Sequence, residues 1–140
     1  MIVRKMTTED IELLNLKYDW MKVNYERYLK NDVGPAWIVE NEKNEPLCGF
    51  GGAFYWPGLI EVWFVLIKKE HTIGIIRLIK RYIEEQSKLL GIRRMQAMVK
   101  CDYEKGIRFV EKLGFRSDTP FGMRSYNADG SPAYLYAKVM

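Results

Sequence analysis

Few side chains in this 140-residue chain could carry chemistry, and their scarcity narrows the options. There is one histidine, His71, and only two cysteines, Cys48 and Cys101. Neither a structural zinc set nor a triad needing more than one histidine can be assembled from these, so no metal is expected. Glu61 is the most suggestive acid, because it interrupts the apolar run Leu59–Ile67 (LIEVWFVLI). A carboxylate flanked by Ile60, Val62, Trp63 and Phe64 suits a general base, whereas an acid at a strand start more often faces solvent or a lysine. With nine tyrosines in the chain, Tyr103 and Tyr126 among them, most should be packed rings. Cys101 closes a strand pattern, and a small packed thiol is the weightier expectation there. Gly49-Phe50-Gly51-Gly52 lacks the Lys-Ser/Thr ending of a phosphate loop and sits inside a strand pattern. A bulge or a close backbone approach is expected instead. The aromatic residues Phe54, Tyr55, Trp56, Trp63 and Phe64 read mostly as core, with a smaller share for lining a cleft.

These residues must be positioned by a single domain spanning 1–140, since the length is typical of one core and the chain is 48% hydrophobic. No apolar run is long enough to cross a membrane, and the start MIVRKMTTED has no signal-peptide core. Two free thiols without an export signal point to a reducing cytoplasm. The net charge of +4 is uneven: residues 68–113 hold 12 Lys and Arg against 6 Asp and Glu, whereas residues 1–67 hold 7 against 10. A basic segment favours an anionic partner. Spread over two helices and a strand it is modest, so nucleic acid is not expected as the partner.

The patterning predicts β-α-α-β-β-β-α-β-α-β-β. Ile2–Lys5 reads as a strand, and Thr7-Thr8-Glu9-Asp10 as a helix start with a hydroxyl cap and acids in the first turn. Ile11, Leu14, Tyr18 and Met21 carry the helical signal raggedly towards Leu29, and Asn31–Pro35 breaks it. Strands follow at Ala36–Glu40, Leu47–Tyr55 and Leu59–Ile67, the last apolar enough for a central strand covered on both faces. Ile76, Ile79, Ile83, Ser87 and Leu90 then mark one face of a helix over 72–90, closed by Gly91. Arg94–Lys100 is a strand, Tyr103–Leu113 a helix, and Phe115–Tyr126 and Ala133–Val139 are strands joined at Asn127–Gly130.

Within this order, Gly106-Ile107-Arg108-Phe109-Val110-Glu111-Lys112-Leu113-Gly114-Phe115 resembles the "A-x-x-F-Y-E-K-L-G-F" segment of the GNAT superfamily of N-acetyltransferases. The resemblance implies an α/β domain with a central, twisted, mostly antiparallel mixed sheet of six or seven strands and about four helices. Glu61-Val62-Trp63, Arg94–Val99 and the stretch Tyr126 to Ala137 further resemble compact phage-encoded GNAT-like proteins.

The resemblance implies an N-acyltransferase that moves acetyl from acetyl-CoA to an amine by direct attack. Coenzyme A would lie between strands 59–67 and 94–100. The backbone near Val65, Leu66 and Ile67 would polarise the thioester, and Lys69, His71, Thr72, Ile73, Gly74 and Arg77 would hold the pyrophosphate. Glu61 would serve as base, with Tyr103 or Tyr126 as acid. The acceptor would be a small-molecule or protein amine, and the protein a monomer or homodimer, in the cytoplasm or, if phage-encoded, in the host cytoplasm or virion. Three positions depart from the family. The glycine-rich R/Q-x-x-G-x-G/A loop is reduced to one glycine among β-branched residues, which disfavour positive-φ turns. The frequent Asn is Tyr103, and the frequent Tyr is Val110. The alternative is therefore a phage or prophage protein that keeps the fold without catalysis and binds a partner or joins the virion. The enzyme is slightly favoured.

Overall fold

The order of elements follows from where the hydrophobic period switches between two and 3.6. The computed structural model describes residues 1–16, 23–30 and 33–140. Its elements are β1 (Ile2–Lys5), α1 (Thr8–Asn15), α2 (Glu26–Leu29), β2 (Ala36–Glu40), β3 (Pro46–Trp56) and β4 (Leu59–Leu66). They continue with α3 (Thr72–Leu90), β5 (Arg94–Lys100), α4 (Glu104–Lys112), β6 (Arg116–Ser117) and β7 (Ala133–Val139). The strands form one seven-stranded sheet in the order β1-β2-β3-β4-β5-β7-β6. β1–β2, β2–β3, β5–β7 and β6–β7 pair antiparallel, while β4 and β5 are parallel, joined through α3. The expected helical turns at Tyr18 and Met21 and the break at Asn31-Asp32 lie outside the described residues. No described helix is long and apolar enough to cross a membrane.

The expected strand over 115–126 is corrected to two paired residues, Arg116 and Ser117, plus a single bridge from Met123 to Ala133. Pro120 has no N–H to give a ladder, and Gly122 (φ 78°) and Ser125 (φ 56°) turn the chain out of extended geometry.

The chain forms two compact units, one of Met1–Ala53 with Val62–Ile75 and one of Phe54–Glu61 with Ile76–Met140. In the first, Met6, Ile11, Leu14, Tyr25, Tyr28, Ile38, Trp63 and Val65 form the core. The Trp63 indole lies against the β3 backbone. A Cβ on Gly51 would stand 2.8 Å from its Cζ2, and one on Gly49 3.4 Å from its Cζ3. The glycines of the Gly49–Gly52 segment thus make room for a ring, as a close backbone approach requires. Tyr25 and Tyr28 meet that ring edge-on, with centroids 5.0 and 5.7 Å away. Such pairs add about 0.5–1.5 kcal/mol each beyond their buried area.

In the second unit, Ile76, Ile79, Ile83 and Ser87 of α3 are buried, as their spacing predicts, while Leu90 is exposed. Met95, Ala97 and Val99 of β5 alternate inward and leave Arg94, Gln96, Met98 and Lys100 on the other, half-buried face. Tight turning at Pro57-Gly58 joins β3 to β4. Gly58 has φ 96°, and its carbonyl accepts from the N–H groups of Arg93 and Arg94 at 2.8 and 3.0 Å.

Candidate acyl-transfer site

Glu61 stands at a defined point of the sheet. The parallel ladder registers Leu59 with Arg94, Ile60 with Met95 and Glu61 with Gln96. Registered residues share a face, so Glu61 and Gln96 lie side by side on the half-buried face of β5. The Tyr55 hydroxyl donates to Glu61 Oε2. Partial burial raises the Tyr55 pKa, and the hydrogen bond and charge of Glu61 raise it further. The Tyr126 pKa is raised in the same way, first by desolvation and then by the Glu61 charge. Both phenols are therefore neutral donors at physiological pH. Tyr55 and Tyr126 are about half exposed, at 52% and 48%. Among the described residues, no lysine or arginine pairs with Glu61.

The nearest cation along β5 is committed elsewhere. Arg94 Nε donates to Gln96 Oε1 at 2.8 Å, and its Nη2 donates to Asp118 Oδ2 at 2.6 Å. Asp118 is itself fixed just past β6, where its N–H donates to the Leu135 carbonyl at 2.9 Å.

Of the two expected tyrosine acids, Tyr126 is brought within the electrostatic reach of Glu61. Tyr103 has a different place. It caps the N-terminus of α4, its carbonyl accepts from Ile107 N–H at 3.1 Å, and its ring covers Gly106, where a Cβ would approach to 2.5 Å. Tyr55, expected from sequence to belong to a mostly buried aromatic cluster, is instead open to solvent, as is Trp56. Its hydrogen bond depends on how β3 and β4 are joined, and no local motif encodes that. The Cys101 pKa is raised chiefly by desolvation, and its Sγ lies 2.9 Å from where a Gly122 Cβ would stand. Packing accounts for this thiol.

The other expected residues line the end of β4 and the entrance of α3. Val65 is buried, and the N–H of Ile67 is already donated to the Leu47 carbonyl at 2.8 Å. A strand alternates the direction of its N–H groups, so Leu66 N–H points to the opposite edge from that of Ile67. Of the three amides expected to face a thioester, Ile67 is thus engaged and Leu66 is turned the other way. Past the strand, Glu70 N–H donates to Lys68 O at 2.9 Å and His71 adopts φ 53°, after which Thr72 opens the helix. The left-handed turn expected to need glycine is present. His71 makes it, not the β-branched residues that follow, and histidine is among the side chains that tolerate this region. The first N–H groups of α3, at Thr72, Ile73 and Gly74, have no partner within the helix.

The charges around this entrance are mixed. Lys68 Nζ lies 2.8 Å from Glu45 and 3.1 Å from Glu70, which takes one lysine of the basic segment out of play. A cavity of about 400 Å³ beside His71 is lined by Glu42, Lys43, Glu45 and Glu70, a set too acidic for phosphate. Lys69 and Arg77 are exposed and have no ion pair among the described residues. An anion at the α3 entrance would meet helix amides that have no partner within the helix, the chemistry a phosphate group needs.

The architecture is that of the GNAT fold, the class that the helix and strand order suggested. Two solved structures show the likeness. The spermidine N-acetyltransferase from Vibrio cholerae in complex with CoA and spermine superposes with a TM-score of 0.76 at 14% identity, covering 99% of this chain and 94% of the other. A chimera of the Vibrio cholerae enzyme with hSSAT gives a TM-score of 0.78 at 14% identity, covering 99% and 94%. At such identities the likeness shows the fold alone. No protein-family model matches the chain, and no curated protein matches its sequence.

Proposed function

We propose that this protein is an N-acyltransferase that uses acetyl-CoA and a small-molecule amine. The observation that carries the reading is Glu61, a half-buried carboxylate without a cationic partner among the described residues, held by a phenol at the end of the parallel ladder. Coenzyme A would supply the activated thioester. Leu66 N–H, with the β4 backbone from Val65 to Ile67 around it, would polarise the thioester carbonyl. The pyrophosphate would sit at Thr72, Ile73 and Gly74, with Lys69, His71 and Arg77 contributing side chains. Glu61 would take the proton of the attacking amine. Of the two expected proton donors, Tyr126, whose hydroxyl feels the Glu61 charge, would be the first choice, and Tyr103, whose ring packs on Gly106, the second. The likeness to spermidine N-acetyltransferases supports an aliphatic amine as acceptor.

Thermal unfolding with saturating acetyl-CoA tests this reading. A ligand at about 100 times its Kd adds roughly 2.7 kcal/mol. The shift should disappear in the Lys69→Ala/Arg77→Ala double variant, and release of free thiol on adding spermidine should follow. No shift at millimolar acetyl-CoA overturns the proposal. It would favour the second reading, a non-catalytic GNAT-fold protein of phage or prophage that binds a partner, which the single glycine of residues 68–77 supports.

A further inference from the structure

The surroundings of Glu61 hold an anion and exposed rings but no paired cation. Tyr55 touches the carboxylate and leaves Oε1 of Glu61 for another donor. Trp56, 59% exposed, carries its ring 6.1 Å from that of Tyr55, centroid to centroid. Tyr126 adds a third half-exposed ring whose hydroxyl feels the Glu61 charge. Tyr55, Trp56 and Tyr126 are open to solvent, and ring faces attract cations. Arg94, the cation that could neutralise Glu61 from the next strand, is directed to Gln96 and Asp118 instead.

We propose that Glu61, Tyr55, Trp56 and Tyr126 form a seat for an alkylammonium cation, recognised by its charge and its apolar substituents whether or not its nitrogen can be acylated. The inference rests on the acyltransferase reading only in placing the seat at the acceptor side, because the recognition itself needs no coenzyme A. Asp118 is a positioning residue in this arrangement. By holding Arg94 it keeps the Glu61 charge available to the ligand.

The test is isothermal titration of the full chain, without coenzyme A, with choline and with its uncharged isostere 3,3-dimethylbutan-1-ol. Choline should bind at least ten-fold more tightly than the isostere. Glu61→Gln should remove that preference, Trp56→Ala should weaken choline about two- to five-fold, as one exposed ring implies, and Tyr55→Phe should keep most of the binding. Asp118→Asn should weaken choline several-fold by freeing Arg94, and Arg94→Gln in the same chain should restore it. That rescue separates an electrostatic role from a merely structural one. Equal affinity for the two ligands, or unchanged choline binding in a folded Glu61→Gln variant, overturns the proposal. Choline binding without any response to acetyl-CoA would sink the acyltransferase reading and leave the seat standing. The reverse pattern would sink the seat alone.

Discussion

Two carboxylate centres of this chain are built in opposite ways. In the first unit, Asp10 and Glu40 share one guanidinium. Arg4 Nη1 and Nη2 donate to the two oxygens of Asp10 at 2.8 and 2.9 Å, and its Nε donates to Glu40 at 2.9 Å. The Thr7 N–H and hydroxyl complete the set, reaching Asp10 Oδ2 at 2.7 and 2.9 Å and closing the start of α1. In the second unit, Glu61 has phenols for neighbours and no paired cation among the described residues. Carboxylates bound to a shared guanidinium tie β1 to α1 and β2. Charge that is left unmatched is available to a ligand. The difference separates an acid that holds the fold from one left open to the role proposed for it.

Substitutions that exchange these roles should break the comparison. The largest effect is expected from Glu61→Gln, which should lower turnover with acetyl-CoA and an amine about 10²–10⁴-fold, the usual worth of a general base. Its thermal midpoint should barely move, and a large fall in stability would show that Glu61 is structural after all. Next comes Arg4→Ala, which strands two carboxylates and should cost about 3 kcal/mol of stability in denaturant unfolding. Turnover per folded molecule should be unchanged.

A smaller effect separates the two centres by pH. Burial alone would raise the Asp10 pKa, but the Arg4 and Thr7 hydrogen bonds outweigh it and hold the carboxyl below its ordinary value. A depressed folded pKa stabilises above the unfolded value, and that stability is lost as pH falls through the folded one. Thermal midpoints taken from about pH 6 down to pH 2 should therefore drop in the wild-type chain below about pH 4. The drop should be shallower in Arg4→Ala. The smallest expected change is Tyr55→Phe, which removes one hydrogen bond to a charged group, worth about 1.5–3 kcal/mol at most. It should lower turnover less than Glu61→Gln does, with stability nearly intact because Tyr55 is half exposed.

Much of the fold was legible because period carries it. The α3 face through Ile76, Ile79, Ile83 and Ser87 and the alternation of Arg94–Lys100 each report a burial geometry directly, and β4 takes a central place in the sheet although only Ile60, Trp63 and Val65 of it are buried. The stretch 115–126 misled because its aromatic and β-compatible residues hide turn-forming Pro120, Gly122 and Ser125. The candidate site was less legible. Glu61 and Tyr126 stood out by residue type and context, but Tyr55 is one of an aromatic cluster, and its contact with Glu61, six residues on across the β3–β4 turn, shows only in the folded hairpin. Tyr103 looked chemically apt, yet its ring is held on Gly106. Counting glycines in residues 68–77 also missed that His71, not a glycine, makes the left-handed turn before α3.

That handedness limits what the position will tolerate. At φ 53°, residue 71 lies where a Cβ is a burden, worth roughly 1–2 kcal/mol for an unsuited side chain. Position 71 is thereby held to a short alphabet of Gly, Asn, Asp and His, whatever ligand the neighbouring helix meets. A library saturated at that codon and sorted only for folded protein should recover those four residues and be depleted of Val, Ile and Thr.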